Sequence, residues 1–158
     1  MRKQLIGLAQ SSPGTPANDH WLDLDLLARV EVTSEDTRHP IEAALLPRAG
    51  GGWRAAHTGT QTIRVIFDRP QRLHRIVLVF EERQVERSQE FVLHWRAGET
   101  GPSREIARQQ WNFSPSGSVS EVEDYRVDLT DVSALELTIS PDRGAGIACA
   151  SLSQWRIA

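Results

Sequence analysis

The residues best suited to chemistry are concentrated in one polar segment, residues 35–42, and in the Trp53-Arg54 pair that follows it. The carboxylates and the imidazole of this segment belong to Glu35, Asp36, His39 and Glu42. A sugar site needs planar polar side chains for pairs of hydroxyls and an aromatic face for C–H groups, and small-ligand sites combine such features. The segment therefore predicts a ligand-binding loop of the kind used for sugars, with Trp53 as the stacking surface and Arg54 beside it.

Two other interpretations of the same segment stay open at the level of sequence. Asp36, His39 and Glu42 are candidate metal ligands, because the last two are three residues apart and would share a face of a helical turn. The intervening proline opposes this, since the residue before a proline favours an extended conformation. Alternatively, the segment is a solvated loop in which Ser34 or Asp36 caps a short helix over residues 41–46.

Further candidates lie on other segments. The charged run 81–90 is typical of a solvated loop, and in the alternative interpretation its Glu82 and Arg87 reach a ligand from the end of the domain. Asn112 closes a strand pattern at a loop and is a candidate hydrogen-bonding group. Three further tryptophans lie within strand patterns, and we expect them to pack in the core: Trp95, Trp111 and Trp155.

The sequence contains none of the common catalytic motifs. There is no Gly-x-Ser-x-Gly elbow, no His-Glu-x-x-His pair, no phosphate-binding glycine loop and no dinucleotide-binding glycine pattern. Carboxylate pairs such as glycosidases use are numerous, but nothing singles one out. The single cysteine, Cys149, excludes an intrachain disulfide and a cysteine-based zinc cage, and its apolar neighbours indicate a small core residue. We therefore expect a protein that is not an enzyme.

The elements that must position these candidates are β-strands. Apolar and polar residues alternate with a period of two along much of the chain, and β-branched and aromatic residues are frequent there. The strand patterns cover residues 21–26, 29–33, 62–67, 73–80, 90–95, 105–113, 124–129, 134–139 and 147–152, with a short one at 155–157. No long helical pattern separates them, which argues against a parallel α/β sheet. The sequence predicts an all-β fold, namely an antiparallel two-sheet jelly-roll sandwich of about eight strands with a short helical turn.

The order of these segments resembles the discoidin, or coagulation factor 5/8 type C, superfamily of galactose-binding-like β-sandwiches. The resemblance covers about residues 28–158. It rests on the segments Thr33-Ser34-Glu35-Asp36, Gly52-Trp53-Arg54, Gln61-Thr62-Ile63, Phe67-Asp68-Arg69-Pro70-Gln71, Arg75-Ile76-Val77-Leu78 and Gln89-Glu90-Phe91, and on Trp95 and Trp155. It implies a jelly roll with its ligand loops clustered at one end. Members mostly bind glycans, and some bind phospholipid or protein.

The sequence departs from the family pattern in two ways. Members typically carry Asp-Gly and a following Thr before the tryptophan, and many hold a structural calcium there together with a late Glu. Here the corresponding stretch, residues 43–52, is longer and has no Asp, so a calcium ion is left in question and no cofactor is expected. The paired cysteines of extracellular members are also absent.

Composition narrows the class of partner. The 158 residues fit one domain, and we expect residues 1–20 to form an N-terminal arm and residues 21–158 the sandwich. A formal net charge of -3 argues against a nucleic-acid partner. The apolar run near the N-terminus is too short for a signal peptide, and no run approaches a membrane span, so we expect a cytoplasmic protein.

The leading expectation is a non-enzymatic carbohydrate-binding module. Its predicted ligand-binding residues are Glu35, Asp36, His39, Glu42, Trp53, Arg54, Arg87 and Asn112. A protein-interaction or assembly domain is the alternative, because the same loops are suited to gripping a protein. An enzyme of unknown type ranks third.

Overall fold

The computed structural model describes residues 20–47, 50–144 and 146–158. It confirms the predicted fold class, because strands dominate these residues and the two helices among them have one turn each. The elements are α1 (Leu24–Leu27), β1 (Ala28–Val32), α2 (Glu42–Leu45), β2 (Trp53–Thr58), β3 (Gln61–Glu81), β4 (Arg87–Ala97), β5 (Ser103–Phe113), β6 (Ser120–Ser140), β7 (Cys149–Leu152) and β8 (Gln154–Ile157). All but the last residue of the expected N-terminal arm, residues 1–20, lies outside the described residues. None of the described helices has the length and apolarity to cross a membrane.

The sandwich is built around two strands that belong to both of its layers. β3 and β6 are each 21 residues long and pair antiparallel along their whole length. The first half of β3 lies between β1 and the second half of β6. On its other side, this half of β6 pairs with β4, and β4 in turn pairs with β5. The second half of β3 lies between the first half of β6 and β8. We call these the front and back layers; β2 and β7 form a separate pair.

Both long strands bend where they pass from one layer to the other. The register between them shifts repeatedly between Ile66 and Arg75 of β3. On β6, Asp131 has a φ of 59°, in the left-handed region that few non-glycine residues adopt. Bends and bulges of this kind let one strand turn the corner between two packed sheets.

The core lies between the two layers. In β3, Ile63, Val65 and Phe67 alternate with more exposed residues, as the period of two predicts. The rings of Phe80 in the back layer and Phe91 in the front layer stack with centroids 5.2 Å apart. Their contact joins the layers. The three tryptophans expected in the core do pack there, with Trp155 fully buried and Trp95 and Trp111 partly buried against it. Cys149 is likewise partly buried against the core.

The predicted strand over residues 21–26 was wrong. The structure has the short helix α1 there, because the Asp23 carboxylate accepts a hydrogen bond from the Asp25 N–H and caps the first turn. Asp is among the strongest N-cap residues, and this local bond outweighs the alternating pattern. The short helix predicted over residues 41–46 is confirmed as α2.

The strand directions separate the connecting segments into two groups. β1 runs towards the start of β3, and β3 returns through the back layer to end at Glu81. The segments 33–41, 82–86, 114–119 and 141–148 therefore meet at one end, which we call the loop end. The last residue, Ala158, bonds to Arg75 at the opposite part of the back layer, and Leu22 bonds to Ile157. We call that region the terminal flank.

Candidate functional site

A cleft of about 250 Å³ opens at the loop end. Its lining comes from four segments of the chain: His39, then Gly51, Trp53 and Arg54, then Glu81, Glu82, Arg83 and Gln84, and finally Ser151, Leu152 and Ser153. We refer to it as the loop-end cleft. The structure thus brings together three of the eight predicted ligand-binding residues, His39, Trp53 and Arg54.

Backbone hydrogen bonds hold the 35–42 segment against β2. The Asp36 N–H donates to the Arg54 carbonyl at 2.8 Å, and the Arg54 N–H donates to the His39 carbonyl at 3.1 Å. These bonds fix His39 and Arg54 side by side at the cleft. Arg54 is exposed and has neither an ion pair nor a side-chain hydrogen bond among the described residues. Its guanidinium is therefore available to a ligand.

Asp36 stabilises its own turn. Its carboxylate accepts a hydrogen bond from the Arg38 N–H at 3.0 Å and lies 3.6 Å from the Arg38 guanidinium. These contacts, the backbone hydrogen bond most of all, hold the pKa of Asp36 below its usual range. Glu35 also has a structural contact, because it accepts a hydrogen bond from the Ile41 N–H at 2.6 Å just before α2. The predicted cap of that helix, Ser34 or Asp36, is wrong, because its N-cap residue is Ile41 and no side chain among the described residues caps it.

Trp53 does not offer the stacking surface that the sequence predicted. Its side chain occupies an inward-facing position of β2, and the residue is only 1% exposed. The indole Nε1–H donates to the Ser34 carbonyl at 3.2 Å. The ring therefore packs in the core beneath the cleft. The alternation of β2 instead turns its neighbour Arg54 outwards.

Arg87 supports the cleft from below and does not reach into it, which corrects the sequence interpretation. The residue is 3% exposed, and its guanidinium lies 4.8 Å from the centre of the Phe113 ring. It donates to Glu82 at 2.8 Å, to the Pro141 carbonyl at 2.8 Å and to Gln89 at 3.1 Å. These bonds hold Glu82 in the wall of the cleft.

Glu82 supplies an ionised acceptor to the cleft. Burial alone raises its pKa, but hydrogen bonds from Arg87 and from the Gln84 N–H outweigh burial and leave the pKa below its usual value. The carboxylate therefore accepts hydrogen bonds at neutral pH. A sugar-binding role requires such an acceptor beside donors like Arg54.

Two predicted residues lie away from the cleft. Glu42 is exposed and lines a separate hollow beside α2 that it shares with Leu24 and Ile41. The Asn112 carboxamide accepts a hydrogen bond from the Ser88 hydroxyl at 2.7 Å, on the outer face of the β4–β5 pair. The alternating strand geometry places that face opposite the core-facing Arg87 and separates Asn112 from the cleft.

The metal site considered for Asp36, His39 and Glu42 is not assembled. No three His, Cys, Asp or Glu side chains are grouped to hold a metal ion within residues 20–47, 50–144 and 146–158. Glu42 belongs to the hollow beside α2, whereas His39 faces the loop-end cleft. The interpretation of a metal-binding loop is therefore incorrect for these residues.

Sequence reasoning missed several residues of the cleft. Arg83 and Gln84 belong to the charged run that we interpreted as a solvated loop, and Ser151 and Ser153 flank the β7–β8 junction. Nothing in the local pattern distinguishes these serines. They become part of the site only because β7 pairs with β2 and carries them beside Arg54.

No protein-family model and no curated protein matches the chain. Solved structures do match. The family 32 carbohydrate-binding module of Clostridium perfringens NanJ, in complex with galactose, has a TM-score of 0.60 and 13% identity, over 87% of this chain and 96% of that one. The fold is the discoidin-like, galactose-binding β-sandwich.

Two further structures with this fold differ in what they bind. A family 32 module of a Clostridium perfringens protein, CpGH89, is in complex with GalNAc-β-1,3-galactose; it has a TM-score of 0.62 and 11% identity, over 87% of this chain and 99% of that one. XRCC1 bound to the catalytic domain of DNA polymerase β has a TM-score of 0.58 and 15% identity, over 84% of this chain and 97% of that one. The resemblance seen in the sequence is thus confirmed for the discoidin-like fold.

Proposed function

We propose that the protein is a non-enzymatic carbohydrate-binding domain that holds a sugar in the loop-end cleft. The observation that carries the proposal is the composition of this cleft. The free guanidinium of Arg54 and the ionised carboxylate of Glu82 line the same hollow, at the loop end of a galactose-binding-like fold. Structural neighbours solved with galactose and with GalNAc-β-1,3-galactose support it.

The cleft is suited to a short glycan end. Its volume of about 250 Å³ is at the lower limit of small-ligand sites, which favours one or two sugar rings over a long chain. Arg54 and Gln84 provide donors for hydroxyl oxygens, and Glu82 provides an acceptor for hydroxyl hydrogens. Because the ring of Trp53 is buried and unavailable for stacking, we expect weak binding, with a Kd of about 1 mM.

The test is a titration of the full chain with galactose, N-acetylgalactosamine and glucuronic acid, followed by amide chemical shifts. We expect shifts at residues 39, 54 and 82–84, and Arg54→Ala should weaken binding about tenfold or more, because a charge-assisted hydrogen bond is lost. Arg54 is exposed, so this variant should stay folded.

Arg96→Ala is the matched control, since Arg96 is an exposed arginine near the far end of β4. It should bind sugar as the unaltered protein does. The proposal is refuted if none of the sugars shifts the cleft resonances at millimolar concentration, or if Arg54→Ala and Arg96→Ala bind equally well.

A protein-interaction domain is the second candidate. Three of the described large apolar side chains that are exposed lie at or near the loop end: Val85 at 50%, Val122 at 62% and Ile147 at 77%. Val85 and Ile147 lie on the segments 82–86 and 141–148 and Val122 lies near the start of β6, and exposed apolar groups at one end of a domain are typical of a protein contact surface. The XRCC1 neighbour, which is bound to another protein, supports this alternative.

The two candidates are separated by a Val85→Ser, Ile147→Ser double variant. A protein-interaction domain should lose a stoichiometric partner in an affinity pull-down with this variant and keep it with Arg54→Ala. A sugar-binding domain should instead keep its affinity for sugar in the double variant and lose it with Arg54→Ala, as measured by the titration.

A further inference from the structure

A second and larger cleft lies on the terminal flank. Its volume is about 380 Å³. It is bounded by the chain from Trp21 to Asp25, by the end of α2 with the two residues after it, and by β8; its lining is Trp21, Leu22, Asp23, Leu24, Asp25, Leu45, Leu46, Pro47, Trp155, Arg156 and Ile157. None of these residues lines the loop-end cleft. We call it the flank cleft.

Arg156 is the one cation among the described residues that line the flank cleft, and it is partly buried. Its Nη1 donates to the Ala44 carbonyl at 2.9 Å and to the Trp155 carbonyl at 3.4 Å. The first of these bonds fixes the guanidinium against the C-terminal end of α2. No carboxylate of the described residues lies within ion-pair distance of Arg156, and burial lowers its pKa.

The donors of Arg156 are only partly used. A guanidinium has five N–H groups, and the two on Nη1 account for both carbonyl contacts. The Nε–H and the two N–H groups of Nη2 have no partner among the described residues. Together Nε and Nη2 form the edge of a guanidinium that binds a carboxylate through two parallel hydrogen bonds.

On the same flank, the neighbouring Arg75 has a carboxylate partner for its Nε and Nη2 donors. Its Nε and Nη2 donate to the two Asp124 oxygens at 2.8 and 2.6 Å, and its guanidinium lies 5.4 Å from the centre of the Trp21 ring. Arg156 also lines the flank cleft, and its Nε and Nη2 have no such carboxylate among the described residues. A partly buried charge is costly when it has no counter-charge, so an anion at this position would be stabilising.

The rest of the lining indicates the body of the ligand. Leu22, Leu46, Pro47 and Ile157 give the cleft an apolar wall, and Trp21 adds an aromatic side chain. Asp23 and Asp25 also line the cleft and are exposed, and their negative charges disfavour an anion more strongly as the charge of that anion rises. The combination favours an apolar molecule with a single acidic group.

We propose that the flank cleft binds a small monocarboxylate with an apolar body, whose carboxylate takes the Nε–Nη2 edge of Arg156. This is a site distinct from the sugar site, with its own ligand class. The Arg156 guanidinium pairs with the carboxylate, and the leucine and proline wall buries the apolar body. Neither statement depends on the function proposed for the loop-end cleft.

The test uses the full chain and octanoate as the probe, with octanamide as a neutral analogue of matched length. Amide chemical shifts or calorimetry should show octanoate binding, with perturbations at residues 22, 46 and 156. Octanamide should bind at least about tenfold more weakly, as expected when a charge-assisted pair is lost. Inorganic phosphate should compete poorly, because it has no apolar body to bury against the leucine and proline wall.

Arg156→Gln should weaken octanoate binding to the level of octanamide, and Arg156→Lys should restore it only in part, because lysine cannot form the bidentate pair. Arg54→Ala, at the other cleft, should leave octanoate binding unchanged and is the control. Equal binding of octanoate and octanamide, or no octanoate binding at millimolar concentration, overturns the proposal. This comparison is made on the unaltered protein, so it decides the question even if an Arg156 variant unfolds.

Discussion

Glu121 is the most unusual acidic residue of the described chain. It is 1% exposed at the start of β6; one carboxylate oxygen accepts from Gln89 at 3.3 Å, and the other has no partner. Burial, followed by its contact with Glu123, raises the pKa of Glu121 to about 8. Tyr125 donates to Glu123 at 3.1 Å, and the Arg87 charge opposes the rise. At neutral pH the Glu121–Glu123 pair therefore retains a proton.

The raised pKa predicts a pH dependence of stability. The unfolded chain releases the Glu121 proton near the ordinary pKa of a glutamate, whereas the folded protein keeps it up to about pH 8. Ionisation thus favours the unfolded state, so the free energy of unfolding should fall as pH rises between these two values and should fall no further from this cause above them. Glu121→Gln should flatten this decline and raise the stability above pH 8.

Urea denaturation across this pH range is the measurement. The exposed Glu99→Gln is the control and should retain the decline of the unaltered protein. A Glu121→Gln variant with the same decline would show that the proton resides elsewhere.

For single residues, the sequence predicted which part of the fold a polar side chain lies in more reliably than it predicted the contacts of that side chain. The loop-end position of His39 and Arg54 followed from the 35–54 segment. The burial of Trp53 did not follow, because three preceding glycines suggested a loop, whereas β2 begins at that tryptophan. Arg87 was predicted to contact a ligand because it is charged. Its role emerged only when β4 placed it between Glu82 and Phe113.

At the scale of elements, Gly52 sets how closely β2 and β7 approach. Its φ is +73°, and a Cβ at this position would lie 2.7 Å from the Leu152 carbonyl oxygen and 3.0 Å from the Ser153 Cα. The next residue, Trp53, pairs with Leu152 in the ladder. A side chain at position 52 would thus meet backbone, which has little freedom to move.

Gly52→Ala should therefore destabilise the protein by about 2 kcal/mol or more, from the left-handed conformation and the backbone clash together. The loop-end cleft should also be disturbed, since Leu152 and Ser153 line it. Thermal unfolding compared with Gly50→Ala is the check. A Cβ at Gly50 meets nothing within 4 Å, and that variant should be close to neutral. Equal loss in both variants would contradict the role given to Gly52.

The strand patterns predicted the elements well but divided the long strands. Residues 62–67 and 73–80 looked like two strands joined by a turn at Asp68-Arg69-Pro70, yet they are the two halves of β3. The turn residues mark a bend in which the strand continues into the other layer. The local sequence indicates that the strand pattern is interrupted here. It does not indicate the direction in which the chain continues, because that depends on pairing with β6, about sixty residues further along the chain.

At the scale of the whole molecule, β3 and β6 make the two layers interdependent. Each strand contributes one half to the front layer and the other half to the back layer. Neither layer can lose its central strands without the other losing them as well. The fold class was predictable because apolar and polar residues alternate along each strand. The site was not, since it depends on which loops the folded strands bring together.

This connectivity predicts a single cooperative unfolding transition. Tryptophan fluorescence reports on both layers, through Trp95 in β4 and Trp155 in β8, and far-UV circular dichroism reports on all strands. The two signals should give coincident urea denaturation curves with one midpoint. Separated midpoints would show that the layers unfold independently.

β5 is the edge strand of the front layer, and its free edge affects whether copies of the protein aggregate. Its outer edge, from Ser103 to Phe113, faces no strand within the described residues. An edge of eleven residues leaves a row of backbone donors and acceptors that another chain can extend into a continuous sheet. Arg104, Glu105 and Arg108 stand exposed along it, and charges at such edges discourage strand-to-strand aggregation. Solubility at high concentration should thus depend on these three side chains, none of which lines either cleft.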